Sequence, residues 1–98
     1  MKLPVIWTPE AESSFQEQIN ILEADWPEPT FRKFIDRVFD TIDRISMQPE
    51  MYRAYENSGN IRVCVINRNI SLYYKIKESQ IDLLFFWPNR NDPEKFPL

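Results

Sequence analysis

A two-layer α+β fold is what this sequence predicts: a strand and a helical hairpin packed on an antiparallel sheet, in the order β-α-α-β-β-β. Three observations lead there. Apolar side chains recur at spacings of three and four through residues 11–45, the period of a helix. Residues 61–87 switch to alternation and to runs rich in Ile, Val, Phe and Tyr, the pattern of strands. The polar connections within that second half are of hairpin length, so consecutive strands are neighbours in the sheet. The 98 residues are read as one domain, 1–98. A chain of this size buries roughly 60–65% of its unfolded surface, enough for one core and not for two.

Leu3-Pro-Val-Ile-Trp7 is short and β-rich and predicts the first strand. Thr8-Pro9-Glu10 then supplies an N-cap, a proline in the first turn and an acid beside the positive helix end, which starts a helix. Ala11, Phe15, Ile19, Leu22 and Trp26 line one face of it as far as about Asp25, with Trp26 read as closing the core. Trp26-Pro-Glu-Pro29 ends that helix, because two prolines leave its hydrogen-bond ladder. Thr30 is the expected cap of a second helix, whose apolar stripe is Phe31, Phe34, Ile35, Val38, Phe39, Ile42 and Ile45. A four-residue connection makes the two helices an antiparallel hairpin. Ile61–Ile66, Ile70–Ile76 and Ile81–Trp87 are the three later strands, forming an antiparallel meander. In the middle one Ile70, Leu72, Tyr74 and Ile76 share the face that receives the helices, with Ser71, Tyr73 and Lys75 on the other. Residues 48–60 are left as the longest irregular stretch and the expected functional loop.

Composition removes several kinds of chemistry. The chain has no His and one Cys, so a zinc site or a His-based triad has neither ligands nor base. Cys64 has no internal partner for a disulfide, which fits a reducing cytoplasm. No apolar run approaches the ~20 residues of a membrane span, and the N-terminus leads into a strand without a signal-peptide pattern. The net charge of −3 hides an asymmetry. Residues 1–31 carry six acids and one base, residues 32–98 eleven bases and nine acids. A wholly basic nucleic-acid binder has a different balance. One glycine against eight prolines means that the turns are made mostly without left-handed glycines.

The closing stretch, Ile81-Asp-Leu-Leu-Phe-Phe-Trp87 followed by Pro88-Asn-Arg-Asn-Asp-Pro93, sets the Arg90 guanidinium just past a strand end, where the sheet holds it and a partner can reach it. Four further segments stand in order before it: Val5-Ile-Trp-Thr-Pro-Glu-Ala11, Gln48-Pro-Glu-Met-Tyr-Arg-Ala-Tyr55, Asn60-Ile-Arg62 and Leu72-Tyr-Tyr-Lys-Ile76. Together they cover nearly the whole chain, and the sequence resembles the RelE/ParE superfamily of toxins from type II toxin–antitoxin pairs. The resemblance implies a cytoplasmic toxin, held by a cognate antitoxin in a hetero-oligomer and needing neither cofactor nor metal. It implies two targets. ParE-like, plasmid-stabilisation-type toxins act on DNA gyrase. RelE-like toxins cleave mRNA on the ribosome, where a 2′-hydroxyl attacks the neighbouring phosphate with help from a base, an acid and cations. Pro88 stands where the nuclease branch carries a histidine, and Arg53 is the only base in the 48–60 loop. These departures favour the ParE-like reading. The ribosome-dependent nuclease is the alternative, and an inactive relic that only binds its antitoxin is a third.

On the resemblance, the partner-binding residues are Arg53, Arg62, Trp87 and Arg90. If the chain is a nuclease, its catalytic residues are Arg53, Arg62, Tyr73 and Arg90. The bland alternative pairs the arginines with Glu50, Glu56 or Asp92 on an inert surface. Tyr74 belongs with the core, leaving Tyr73 as the tyrosine free to act, and an unperturbed tyrosine (pKa near ~10) is a poor base. Phe85 or Phe86, Trp87 and Trp26 form an aromatic surplus suited to an apolar partner groove.

Overall fold

In the computed structural model, residues 2–56, 58–91 and 93–98 are described, with the side chain of Ser58 left aside. The expected order is present, with one strand added. β1 is Val5–Trp7, α1 Pro9–Asp25, α2 Glu28–Met47, β2 Arg53–Tyr55, β3 Ser58–Asn67, β4 Ile70–Ile76 and β5 Ile81–Pro88. The strand order is β1-β5-β4-β3-β2. β2 to β5 pair antiparallel, and β1 lies parallel to β5 with Val5 opposite Ile81. The sheet is therefore mixed. A parallel neighbour needs a long crossover, and the helices together with the meander supply it.

Local chemistry accounts for the boundaries. Thr8 caps α1, its Oγ1 accepting from Ala11 N at 3.1 Å. The same hydroxyl donates toward Leu83 O at 2.7 Å and Leu84 O at 3.1 Å. Ser14 Oγ accepts from Phe86 N at 2.8 Å. These contacts are needed because β1 is three residues long and leaves the rest of β5's edge without a strand partner. Opposite Tyr73 and Tyr74 the register of β5 slips past Leu84, a bulge at the place where Thr8 docks.

Thr30 is not the cap of α2. The helix begins at Glu28 behind Pro27, so Thr30 lies inside it and the connection between the helices is two residues. Pro29 is tolerated within the first turn, where an N–H has no intrahelical partner to lose. The 48–60 stretch is also more ordered than expected. A 3₁₀ turn at Pro49–Met51 leads into β2, which turns through Glu56 at φ 47°, the only positive φ among the described residues.

The core lies between the sheet and α2. Val38 and Ile45 from the helix meet Leu72, Tyr74, Ile81 and Leu83 from the sheet, all fully buried, each stabilising by about 1.5–3 kcal/mol. Phe15 joins the helices, its ring 6.3 Å from Phe34 and 6.2 Å from Phe39. Two expectations about core membership fail, one at the hairpin tip and one midway along α2. Trp26 is 51% exposed and Phe39 49% exposed. Every residue from 23 to 30 is exposed, because the tip extends beyond the layer of sheet that would cover it. Phe85 and Phe86 fail in the opposite sense: both are buried, so of the aromatic surplus only Trp26 and the half-buried Trp87 meet solvent.

Candidate functional site

Alternation along the strands decides where the candidate residues point, and it separates them. Arg53, Val63, Tyr73 and Phe85 form one row across β2 to β5. Tyr73 stacks on Phe85 at 5.0 Å on the face away from the helices. Phe96 folds back over this row, with its ring 5.0 Å from Tyr73, 5.1 Å from Trp87 and 5.7 Å from Tyr55. The sequence showed no reason to bring Phe96 here. Burial, and next the neighbouring Tyr55, raise the Tyr73 pKa, while Arg53 acts to lower it. Tyr73 is therefore a weaker acid than a free tyrosine, and it holds its proton at neutral pH.

Arg62 belongs to the next row, with Ala54, Tyr74 and Leu83, and so points to the opposite face. Its guanidinium donates to three backbone carbonyls: Tyr52 O at 2.9 Å, Glu50 O at 3.3 Å and Gly59 O at 3.3 Å. It pairs with Glu50 through the main chain and not through the carboxylate, and it ties the 3₁₀ turn to the sheet. Tyr74 is core, as expected. Its hydroxyl donates to Pro49 O at 2.6 Å, and burial pushes its pKa well above the ordinary value.

Arg90 lies past the end of β5, beside the β3–β4 turn. The five residues from Leu83, in the Arg62 row, to Pro88 already span about 16 Å at ~3.3 Å per residue. Arg90 and Arg62 are thus at opposite ends of the sheet. Arg90 is exposed and makes no hydrogen bond or ion pair among the described residues; the expected alternative partner, Asp92, lies outside them.

What Arg90 does join is a groove that the sequence reading missed. It opens between the hairpin tip and the β3–β4 turn with a volume of about 590 Å³. Ile21, Leu22, Trp26, Phe34 and Ile70 supply its apolar surface. Lys33 and Arg37 stand along one side, Arg68 and Arg90 along the other, and among the described residues no carboxylate lines it. Asparagines hold the sheet-side rim. Asn67 Oδ1 accepts from Asn69 N at 2.7 Å and Ile70 N at 3.1 Å, closing the turn. Asn89 Nδ2 donates to Arg68 O at 3.1 Å, its N–H donates to Asn69 O at 2.7 Å, and Ser71 Oγ donates to its Oδ1 at 2.9 Å. The signal in the sequence was the run Asn67-Arg-Asn69 and the pair Asn89-Arg90, two basic turns that only the β4–β5 pairing brings together.

Among the described residues, no group of three or more His, Cys, Asp or Glu side chains is arranged to hold a metal ion. No helix of the described residues is long and apolar enough to cross a membrane.

Comparison with known proteins adds the family. The family model described as "ParE toxin of type II toxin-antitoxin system, parDE" matches residues 5–93. Among curated proteins none matches the sequence. Solved structures are similar in fold at low identity. The chromosomal ParDE toxin–antitoxin system from P. aeruginosa superimposes with TM-score 0.73 at 11% identity, covering 89% of this chain and 96% of that one. The YoeB dimer from Staphylococcus aureus gives 0.59 at 13% identity, covering 87% and 94%. A copper-bound mutant toxin from Helicobacter pylori gives 0.59 at 18% identity, covering 96% and 99%. At these identities the superpositions speak for the fold alone. The match over residues 5–93 carries the assignment: this chain belongs to the ParE family of toxins from type II toxin–antitoxin systems.

Proposed function

We propose that this toxin inhibits growth by acting on DNA gyrase in the cytoplasm, without chemistry of its own, and that a cognate antitoxin neutralises it. A type II family implies such an antitoxin. The observation that carries the gyrase reading is the dispersal of the groups that RNA cleavage would need. A 2′-hydroxyl attack requires a base, an acid and cations converging within a few ångströms of one phosphate. Arg53 and Tyr73 share the face away from the helices, Arg62 is held by three carbonyls on the other face, and Arg90 sits at the far end of the sheet. Tyr73, with its pKa raised by burial, is poorly suited to take a proton.

One observation favours the nuclease as the second reading. Arg53 stands in the same row as Tyr73, at the margin of the rings of Tyr55, Tyr73, Phe85 and Trp87, and rings near a cation form a surface on which bases stack. Inducible expression in a bacterial host separates the two, with plasmid topology and a reporter mRNA followed in one culture. The gyrase reading expects trapped gyrase–DNA cleavage complexes and intact mRNA. Codon-phased mRNA cuts with normal topology would replace it with the nuclease. Unimpaired growth, with the toxin present and folded, would favour a chain that only binds its antitoxin.

A further inference from the structure

The helices cover one face of the sheet, and on the other Phe96 lies over the aromatic row. Its ring sits among four others, 5.0 Å from Tyr73, 5.1 Å from Trp87, 5.6 Å from Phe85 and 5.7 Å from Tyr55. We propose that this seat takes an unpaired base of a DNA strand, with Arg53 on the adjoining phosphate, and that Phe96 closes the seat until a base displaces it. The inference rests on the gyrase reading, which brings the toxin to DNA; stacking by itself does not tell DNA from RNA.

The cover is fastened by one side chain. Phe96 is half-buried, while Pro93, Glu94, Lys95, Pro97 and Leu98 are exposed. The Phe96 N–H donates within the same segment, to Pro93 O at 3.2 Å, and Pro93 and Pro97 have no N–H to offer the sheet. A segment held by so little buried area opens at small cost. Phe96 also leaves ring area unused. It stands at 65° to Tyr73, 79° to Phe85 and 83° to Trp87, whereas a base lying flat on Tyr73 would overlap its face as Phe85 does, at 20°. Polar groups favour a base over an apolar side chain. Among the described residues the Tyr55 and Tyr73 hydroxyls and the Trp87 indole N–H make no hydrogen bond, and they are open to water. An apolar occupant would cut them off unpaired, and a base brings carbonyl and ring-nitrogen acceptors. Arg53 stands at the margin of the row, exposed and without an ion pair among the described residues, as a cation that tracks the backbone of a stacked strand must. The six acids of residues 1–31 lie on α1 and the start of α2, across the sheet from this face.

The test uses the full chain and three short fluorescein-labelled strands: oligo(dU), the same strand without bases, and oligo(U). Binding is read by fluorescence anisotropy, and its place by the NMR signal of the Trp87 indole, assigned with Trp87→Phe. Oligo(dU) should bind and shift Trp87, the abasic strand should bind about tenfold more weakly, and oligo(U) should do no better than oligo(dU). Tyr73→Leu should weaken oligo(dU) about tenfold. Phe96→Ala should tighten it about tenfold, the gain expected when a seat open in roughly a tenth of the molecules loses its cover, and Phe96→Trp should undo that gain. Circular dichroism checks that each variant folds. If Phe96→Ala does not, the wild type decides: oligo(dU) should move the Phe96 ring signals to those of an exposed ring, and unmoved signals overturn the inference. An abasic strand that binds as well as oligo(dU) overturns it, as does absence of binding to wild type and Phe96→Ala alike. So does a folded Phe96→Ala that binds no better than wild type, since Phe96 is then part of the platform and not its cover. A preference for oligo(U) gives the face to RNA and overturns it too. The gyrase assay on wild type is a separate result. Trapped complexes without oligo(dU) binding would sink this inference alone, and oligo(dU) binding with normal topology would sink the gyrase reading alone.

Discussion

Arg62 and Arg90 show how far a residue's role depends on which way its strand turns it. Both sit on positions that the family resemblance marks, yet Arg62, in the middle of β3, is tied to the main chain, and Arg90, past the end of β5, faces solvent. Arg62→Ala should cost about 1–3 kcal/mol in chemical denaturation, because three carbonyls lose their charged donor. Arg62→Lys should recover part of that loss. Arg90→Ala should leave the denaturation midpoint unchanged and abolish growth inhibition on induced expression. Cells that die as readily with that variant as with wild type would remove Arg90 from the site. Asp82 makes a pH prediction. Hydrogen bonds from Lys77 and Gln80 hold its pKa below the ordinary carboxylate value, the Lys77 bond being the larger cause. A depressed folded pKa stabilises above the unfolded value, near ~4, and that contribution is lost as pH falls through the folded value. Between about pH 5 and pH 3, wild type should therefore lose more stability than Asp82→Asn.

At the scale of elements, the hydrophobic period carried most of the fold. The stripe of Phe34, Val38, Ile42 and Ile45 and the alternation of Ile70, Leu72 and Tyr74 each have one solution that buries them, and the structure adopts it. What the period could not reveal was β2. Arg53-Ala-Tyr55 is too short to show alternation, and it is a strand because β3 offers it an edge. The start of α2 is hidden for a related reason: two prolines signal a break, and the first turn of a helix accepts them. Trp26 continues the α1 stripe, but periodicity does not report where the sheet beneath stops. The α1–β5 junction supports its own test. Thr8→Ala removes a cap and two hydrogen bonds to the β5 bulge, and it should cost about 1–2 kcal/mol. Thr8→Ser should retain most of the stability.

Across the whole molecule, two surfaces offer themselves at different places on the sheet. One is the aromatic row under Phe96, with Arg53 at its margin; the other is the basic groove that holds Arg90. Residue types alone pooled the three arginines into one site, and only pairing across five strands showed that they belong to three locations. The groove stayed hidden because its walls come from two segments, Gln18 to Arg37 and Asn67 to Arg90, that lie far apart in the chain. A toxin that binds its target without cleaving anything has no need for converging catalytic groups, and their dispersal here agrees with that. The most direct measurement is a gyrase reaction with purified components: supercoiled plasmid, gyrase, ATP and increasing toxin. Linear DNA should be released on denaturing the protein, and it should disappear when Arg90→Ala replaces wild type. Unaltered gyrase activity, alongside cleavage of ribosome-bound mRNA by the same preparation, would contradict the account.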